Sequence, residues 1–439
     1  MRINSIRIVN LFGLYNYEIP ISESEHICLL TGPNGYGKTT ILSIIDNLFK
    51  GYLFYFYKLP FDEIYVELSE NNIISIIKRN ISAQNSDSGD SPLTHDTEVK
   101  FEWESEDIVT SFVINNKIIR DALRALKVQL ELSEHELNNL NSAELSQKVM
   151  RSDSFYQTIS KSSVKFQEFL LKSKSVSTSF ISANRIYTEE KEGAEKRYRH
   201  YYYEEAISPI KKISKQLKHL LQRNKIAYFD TVQKIDINLI GSLIKSEVEY
   251  TQNEYESKIQ GLSSKLDSLL QYGLIARINF EPYNKDYIRL LSAYLNEIDK
   301  KLAVYDNFLE KLELLSELIR NKGFADKRFT FSPDYGIRCH LVTGAPVDLD
   351  TLSSGEKHQI ILLFNLIFEV PDNSTLLIDE PENSLHVTWQ RQFTEDIFRI
   401  SKGKDLQVLI ATHSSRIVAN AKENAWDLFY LNKEYGNEE

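Results

Sequence analysis

Residues suited to phosphate chemistry form a glycine-rich stretch near the start of the chain. They are Gly32, Pro33, Asn34, Gly35, Tyr36, Gly37, Lys38, Thr39 and Thr40. The glycines let consecutive backbone N–H groups turn toward an anion, and a helix that starts directly after them adds its partial positive charge. Lys38 has the chemistry to reach the β- and γ-phosphates of a nucleotide, and the Thr39 hydroxyl can ligate Mg²⁺. The stretch therefore predicts a nucleotide-binding loop.

Two acidic residues end an apolar segment late in the chain. Leu376 to Ile378 is apolar and leads directly into Asp379 and Glu380. The first carboxylate can hold Mg²⁺ by way of water, and the second can polarise the water that attacks the γ-phosphate. Many strands end in acids, but this one follows a phosphate-binding loop and precedes the segment 381–386. We predict Asp379 as a metal ligand and Glu380 as a catalytic residue beside Lys38.

Two further segments could contact the same γ-phosphate. Ser353 and Gly355 open a predicted amphipathic helix, and taken alone the serine would be a simple helix cap. Their position shortly before the acidic strand favours a second interpretation, in which they bind a γ-phosphate held by another copy of the chain. His413 follows the apolar segment 406–411. A lone histidine at a strand end is usually structural; here we predict that it contacts the γ-phosphate and helps to hold the attacking water.

These residues stand far apart in the chain, so the fold must bring its two ends together. Strand, glycine loop and helix follow one another over 26–49, and strands alternate with helices after residue 323, which is typical of a parallel α/β sheet. The predicted strands are 3–10, 15–21, 26–31, 180–183, 328–332, 336–342, 375–379, 406–411 and 427–431, with antiparallel strands between 64 and 114. The predicted helices are 39–49, 354–369 and 385–400, with a helical pattern over 119–171.

The central part of the chain differs from both ends. From about 187 to 321 it is helical in pattern and rich in Lys, Glu, Leu and Tyr, with turn residues between Tyr272 and Tyr283. We predict a helical arm that folds back there, either a short coiled coil or a plain bundle. The predicted domains are thus two halves of one α/β domain, 1–186 and 324–439, interrupted by a helical insertion at 187–323.

Composition limits the classes of function. The net charge of −10 gives no general affinity for nucleic acid, so DNA contact would need a local basic patch, for which residues 211–225 are the best candidate. No apolar run reaches the roughly 18 residues of a membrane span, and no secretion signal is evident at the N-terminus. Two cysteines cannot form a disulfide framework. We expect a cytoplasmic protein without a membrane partner.

The wording LSSGEKHQ, LLIDEPENSLH and ATHSS resembles the ABC-type ATPase heads of the SMC and RecF group. Within that group it is most similar to the ATPase of the OLD (overcoming lysogenization defect) family and its relatives in bacterial anti-phage systems. The resemblance implies a P-loop ATPase head with a mixed sheet, and ATP and Mg²⁺ as cofactors. Ser354 stands where the signature usually has glycine, as is typical of this branch, and the Q-loop is represented only by Asn184 or Arg185. The implied motifs are Walker A at Lys38 and Thr39, Walker B at Asp379 and Glu380, the signature at Ser353 and Gly355, the D-loop at 383–386 and the switch histidine at His413.

The resemblance also implies partners. Such heads sandwich ATP in a homodimer, or in a higher oligomer. The chain runs about twenty-six residues past His413, where an OLD nuclease continues with a Toprim domain, so we expect a separate effector. A Toprim-type nuclease, as in the PARIS system, is the first choice, an HNH nuclease, as in Septu, is the second, and a phage protein could be the trigger. The alternatives are a DNA-repair ATPase of the RecF kind and an ATP-dependent scaffold; the insertion between the motifs is too long for a transporter subunit.

Overall fold

The computed structural model describes residues 1–21, 26–81, 96–105, 108–119, 156, 163–182, 208–324 and 326–435. Contacts divide the chain into two compact units: Met1–Arg185 with Val370–Glu439, and Ile186–Glu369. The predicted helical insertion lies within the second unit, which continues to Glu369. The Q-loop candidates Asn184 and Arg185, and most of the helical pattern predicted over 119–171, lie outside the described residues.

The strands match most of the predicted ones closely. In chain order they are β1 (Ile3–Leu11), β2 (Tyr15–Pro20), β3 (Ile27–Thr31), β4 (Glu63–Leu68), β5 (Asn72–Ile81), β6 (Asp96–Ser105), β7 (Ile108–Asn115), β8 (Thr178–Ser182), β9 (Lys327–Ser332), β10 (Gly336–Leu341), β11 (Pro346–Val347), β12 (Thr375–Asp379), β13 (Gln407–Ala411) and β14 (Ala425–Asp427). The α-helices are α1 (Lys38–Lys50), α2 (Phe54–Lys58), α3 (Val164–Ser173), α4 (Pro209–Ile237), α5 (Leu239–Lys245), α6 (Gln252–Gln271), α7 (Ile288–Leu302), α8 (Asp306–Asn321), α9 (Ser354–Phe364), α10 (Val387–Lys404), α11 (Ser415–Val418) and α12 (Leu428–Tyr435).

A parallel sheet joins the two ends of the chain in the first unit. Its strand order is β14-β3-β13-β12-β8. The register places Leu30 beside Ala411 and Ala411 beside Asp379. Because β12 and β13 are buried along their whole length, both read as continuous apolar runs. Parallel strands end at one edge of the sheet, so the segments that follow β3, β12 and β13 meet there.

An antiparallel sheet completes the first unit, with the order β2-β1-β4-β5-β6-β7. Alternate residues are buried, as along β4, where Ile64, Val66 and Leu68 face the core. That core is one cluster, to which this sheet, α1 and α3 contribute, together with residues such as Leu377 and Leu409 of the parallel sheet. The antiparallel strands predicted between 64 and 114 are thus confirmed.

The strand predicted at 427–431 is wrong, because α12 begins at Leu428. Its residues Leu-Phe-Tyr-Leu favour a strand by propensity. However, Leu428 and Leu431 are the buried positions, and their spacing of three is helical. The Asp427 carboxylate also accepts a hydrogen bond from the Phe429 N–H at 2.9 Å, which caps the first turn.

The second unit contains helices and a small antiparallel sheet of order β11-β10-β9. Its longest helix, α4, has 29 residues and spans about 43 Å at roughly 1.5 Å per residue. The predicted break after Tyr272 is present: α6 ends at Gln271, and Gly273 follows with φ 67°. The prediction of an amphipathic helix at 354–369 needs correction, because α9 is buried on all sides from Gln359 to Phe364 and ends in a π-helical turn.

None of the helices in the described ranges is both long and apolar enough to cross a membrane.

Candidate functional site

The glycine loop connects β3 to α1 and has the backbone conformation that its sequence predicts. Gly32, Gly35 and Gly37 have φ of 135°, 88° and 83°, values that side-chain-bearing residues rarely adopt. At Gly37 a Cβ would also lie 3.1 Å from Leu11 Cδ2. Pro33, Asn34 and Gly35 are exposed, and Tyr36 and Thr40 are half-buried. The loop thus leaves its turning backbone open to a ligand.

Lys38 is the first residue of α1 and lies folded over its own loop. Its Nζ donates hydrogen bonds to the carbonyl oxygens of Gly32 at 2.9 Å and Pro33 at 3.0 Å. Burial lowers the pKa of Lys38, and the neighbouring carboxylates of Glu380 and Asp379 oppose that shift. The ammonium group is therefore held in the loop by carbonyls and acids, with a positive charge ready for a phosphate.

Thr39 and Asp379 are in direct contact. The Thr39 hydroxyl lies 2.9 Å from Asp379 Oδ1 and 3.1 Å from Oδ2. Burial raises the pKa of Asp379, the Thr39 hydrogen bond lowers it, and the charges of Glu380 and Glu382 raise it further. A cation placed here would relieve this cost. Hydroxyl and carboxylate oxygens are ligands that Mg²⁺ accepts, usually together with water and substrate phosphates.

The pair Thr39 and Asp379 supplies one hydroxyl and one carboxylate. Mg²⁺ is usually bound by one or two carboxylates together with water and substrate phosphates, so the pair would suit a metal that shares its coordination with a nucleotide. In the part of the chain that the structure covers, no group of three or more His, Cys, Asp and Glu side chains is arranged to hold a metal ion.

Glu380 has a strained backbone at the end of β12. Its φ is 47°, in the left-handed region that costs a non-glycine residue about 1–2 kcal/mol. The conformation is held by a hydrogen bond from its N–H to the Ala411 carbonyl at 2.8 Å. Asn383 Nδ2 donates to Glu380 Oε2 at 2.6 Å. Strain of this kind is typical of functional positions, and here the carboxylate contacts Asn383 and His413.

His413 follows β13 and faces Glu380. Its Nε2 lies 3.9 Å from Glu380 Oε1, and the two side chains are 35% and 38% exposed. Both groups are therefore accessible to a ligand. The structure thus brings together five predicted residues from three strand ends: Lys38, Thr39, Asp379, Glu380 and His413.

Ser353 and Gly355 lie in the second unit. Ser353 caps α9 in a reciprocal capping box: its Oγ accepts from the Glu356 N–H at 3.3 Å, and Glu356 Oε2 accepts from the Ser353 N–H at 2.9 Å. Burial would raise the pKa of Glu356, but Lys327 and these bonds hold it below its usual value. The cap interpretation is thus correct, while Ser353 and Ser354 remain exposed at the start of the helix. Contact with a phosphate stays a prediction.

Sequence reasoning missed two acids at this edge of the sheet. Glu382, in the turn Pro381–Ser384, contacts the His413 segment through its carboxylate. Asp427 ends β14, and its charge, like those of Glu380 and Asp379, opposes the lowering of the Lys38 pKa by burial. No sequence signal identified Asp427, because the strand predicted at 427–431 placed it at the start of a strand and not at its end.

The C-terminal helix α12 supports the glycine loop, which the sequence did not indicate. A Cβ on Gly32 would lie 3.4 Å from Leu428 Cβ. The Tyr36 ring lies 5.8 Å from Phe429 and 5.1 Å from Tyr15 between centroids. Tyr17 adds a hydrogen bond from its hydroxyl to the Tyr36 carbonyl at 2.8 Å. The loop is thus held from both sides.

The fold and this loop geometry define an α/β P-loop protein, with the glycine loop between a buried strand and a helix. The chain belongs to the AAA ATPase domain family, whose model matches residues 1–418. No curated protein matches the sequence.

Two solved structures are similar over almost the whole chain at low identity. The Smc head domain with an extended coiled coil from Pyrococcus furiosus, bound to the C-terminal domain of ScpA, is 14% identical, with 96% of this chain and 92% of that chain covered and a TM-score of 0.35. An SmcHead bound to the C-winged helix domain of ScpA is 13% identical, with the same coverage and a TM-score of 0.34.

Proposed function

We propose that this protein hydrolyses ATP to ADP and phosphate as an SMC- and RecF-like ABC-type ATPase subunit. The observation that carries the proposal is the meeting of Lys38, the Thr39–Asp379 pair and the Glu380–His413 pair at one edge of a parallel sheet. Phosphoryl transfer to water uses a phosphate-binding lysine, hydroxyl and carboxylate oxygens that hold Mg²⁺, and a residue that positions the attacking water, and these residues can fill those roles. A purely structural nucleotide site would need only the loop.

Each residue has a distinct role in this scheme. Lys38 binds the β- and γ-phosphates, while Thr39 and Asp379 would hold Mg²⁺, which neutralises charge on the phosphate oxygens. Glu380 orients the attacking water and takes up its proton. His413 contacts the γ-phosphate and keeps the water in line. Because Glu380 and His413 are both about one third exposed, water can reach them.

The proposed site is completed by a second copy of the chain. Ser353 and Ser354 are exposed at the N-terminal end of α9, where free N–H groups attract anions. In a homodimer this end would approach the γ-phosphate bound by the loop of the partner, and higher oligomers would contain the same contact.

The shared site can be tested by mixing two inactive variants. A Lys38→Ala chain and a Ser353→Arg chain should regain activity together, because a mixed dimer has one intact composite site; no recovery after confirmed exchange of chains would contradict it.

The simplest test of hydrolysis is Glu380→Gln, with Lys38→Ala as its counterpart. Glu380→Gln should bind ATP normally, release phosphate at least about 100-fold more slowly and accumulate as an ATP-bound dimer. Lys38→Ala should fail to bind ATP. The measurements are phosphate release, fluorescent-nucleotide titration and light scattering after size exclusion. Normal turnover by Glu380→Gln would refute the role of this carboxylate.

For the biological role we propose the ATPase subunit of a cytoplasmic anti-phage complex that controls a separate nuclease, of the Toprim type first and the HNH type second. This proposal is supported by the amino-acid sequences of the signature, Walker B and switch segments. A phage protein is the proposed trigger. The test is co-purification with the nuclease encoded beside it, followed by plating of phage on cells with wild-type or Glu380→Gln protein. Loss of protection is expected with the variant, and equal protection would contradict the proposal.

A DNA-repair function is the alternative, and one feature of α4 favours it. From Ser208 to Phe229 the chain contains no Asp or Glu, although acids number 62 in 439 residues. Lys212, Lys215, His219 and Arg223 are exposed there, three or four residues apart and so on one side of the helix. Fluorescence anisotropy of labelled duplex DNA at two salt concentrations distinguishes the two functions. Strong salt-sensitive binding that is lost in Lys212→Glu/Lys215→Glu would favour this alternative.

A further inference from the structure

Glu382 joins two segments of the site that are thirty residues apart in sequence. Its Oε2 accepts a hydrogen bond from the Thr412 hydroxyl at 2.7 Å, with a separation of 30 residues. Its Oε1 accepts from the backbone N–H of His413. One carboxylate in the turn after β12 thus bonds to the two residues that begin the loop after β13.

The loop that carries His413 depends on such side-chain bonds. Thr412 is fully buried, and its N–H donates to the Leu30 carbonyl at 3.0 Å, which fixes the start of the loop. Beyond it the Ser414 N–H donates to Thr412 Oγ1 at 3.0 Å, and Ser414 Oγ donates to Gln390 Oε1 at 2.8 Å. The His413 side chain lies between these anchors with 35% of its surface exposed, so the bonds on either side of it help to fix its position.

Each oxygen of Glu382 accepts one of these hydrogen bonds, Oε2 from Thr412 and Oε1 from His413. Because the acceptor is a carboxylate, both bonds are charge-assisted and stronger than neutral ones. Gln390 Nε2 donates to the Leu385 carbonyl at 3.2 Å, so a second residue links the same turn to the Ser414 side of the loop.

We infer that Glu382 is a positioning residue: it sets the distance between His413 and Glu380 by tying the loop 412–414 to the turn 381–385. The inference rests on the proposed ATPase function, because it assigns His413 a place beside the reacting phosphate. It assigns no direct contact between Glu382 and nucleotide or metal.

The test uses the pair Glu382→Ala and Glu382→Gln. Alanine removes both bonds, and displacement of a catalytic group by about 1 Å can cost about 100-fold. We expect kcat for ATP hydrolysis to fall about 10- to 100-fold, with KM for ATP within about twofold. The amide oxygen of glutamine can still accept the hydrogen bond from the His413 N–H. Its NH₂ group can donate to the Thr412 hydroxyl oxygen, because a hydroxyl can act as an acceptor as well as a donor. Glu382→Gln should therefore keep kcat within about threefold of wild type.

A second measurement needs no catalysis. Amide hydrogen exchange of the nucleotide-free protein should be faster over 412–416 in Glu382→Ala and unchanged in Glu382→Gln. Thr412→Val removes the hydroxyl that bonds to both Glu382 and the Ser414 N–H, and it should increase exchange in the same segment, while Thr412→Ser should not. Equal melting temperatures would show that the whole fold is intact.

Two outcomes would overturn the inference. If Glu382→Gln were as inactive as Glu382→Ala while exchange over 412–416 stayed normal, the charge itself would be required. If Glu382→Ala had normal kcat and normal exchange, the bonds would have no positioning role. Failure of the proposed function is recognised separately, because the wild-type protein would then release no phosphate from ATP, whatever the Glu382 variants do to exchange over 412–416.

Discussion

Replacing Thr39 by valine tests the contact on which the metal assignment depends. Valine has the shape of threonine but lacks the hydroxyl that donates to Asp379 at 2.9 and 3.1 Å. Asp379 is 8% exposed, so water cannot fully replace the lost bond. With Mg²⁺–ATP bound, the Thr39 oxygen would contact the metal, and we take this contact as equal to a hydrogen bond to a charged group, about 1.5–3 kcal/mol. At about 1.4 kcal/mol per factor of ten, Mg²⁺-dependent ATP affinity should fall about 10- to 100-fold.

Removal of the Thr39 hydroxyl affects the charge of Asp379 as well as the coordination of the metal. The Thr39 bond is the largest influence that holds down the pKa of a carboxyl already raised by burial. Without it the pKa of Asp379 rises further. The carboxylate form that a divalent cation needs then becomes less favourable, so the effect adds to the loss of the Thr39 oxygen as a ligand.

The assay is titration with a fluorescent ATP analogue, once with Mg²⁺ and once with EDTA. Thr39→Val should lose affinity only with Mg²⁺, and Thr39→Ser, which keeps a hydroxyl, should stay within about threefold of wild type. Ser43→Ala is the matched control, because Ser43 Oγ donates to the Thr39 carbonyl at 2.8 Å one turn further along α1. Its affinity should be unchanged.

Two results would contradict the assignment of the Thr39 hydroxyl as a metal ligand. If Thr39→Val bound Mg²⁺–ATP as tightly as wild type, the Thr39 hydroxyl would not be a ligand. If affinity fell equally with Mg²⁺ and with EDTA, the substitution would have damaged the phosphate loop and not the metal site.

Gly336→Ala should destabilise the protein by about 2–5 kcal/mol, because the φ of Gly336 is 78° and a Cβ would lie 2.0 Å from the Ser214 carbonyl oxygen. Denaturant unfolding measures the loss of stability. Gly344→Ala is the control, because Gly344 has φ 91° but no atom within 4 Å of a Cβ, and an equal loss in both variants would contradict the prediction. Cys28 and Cys339 are 5% and 1% exposed, so neither thiol should react with a disulfide reagent at pH 8 until the protein is unfolded; rapid labelling would contradict this burial. Burial raises the pKa of Cys28 from 9.0 to about 12, so its contribution to stability is complete below pH 9 and is lost as the pH rises toward 12, which denaturation at increasing pH should show as falling stability.

The local features of this protein could be predicted from its amino-acid sequence. Gly32, Gly35 and Gly37 encode a loop that few other residues can form, since positive φ is inexpensive only for glycine. Buried parallel strands read as unbroken apolar runs, so β3, β12 and β13 were found within a residue or two. Lys38, Thr39, Asp379, Glu380 and His413 were all predicted as site residues because each lies at the end of such a strand or loop or within two residues of it.

The contacts between segments that are distant in sequence depend on the tertiary fold. The pairing of Thr39 with Asp379 and of Glu382 with the Thr412–His413 loop depends on strand order, which local pattern does not encode. The segment 428–431 shows the same limit: its propensity favours a strand, but burial of Leu428 and Leu431 makes it a helix against the glycine loop. Local propensities amount to a few tenths of a kcal/mol per residue, whereas burying one large apolar side chain contributes about 1.5–3 kcal/mol, so tertiary packing overrides them.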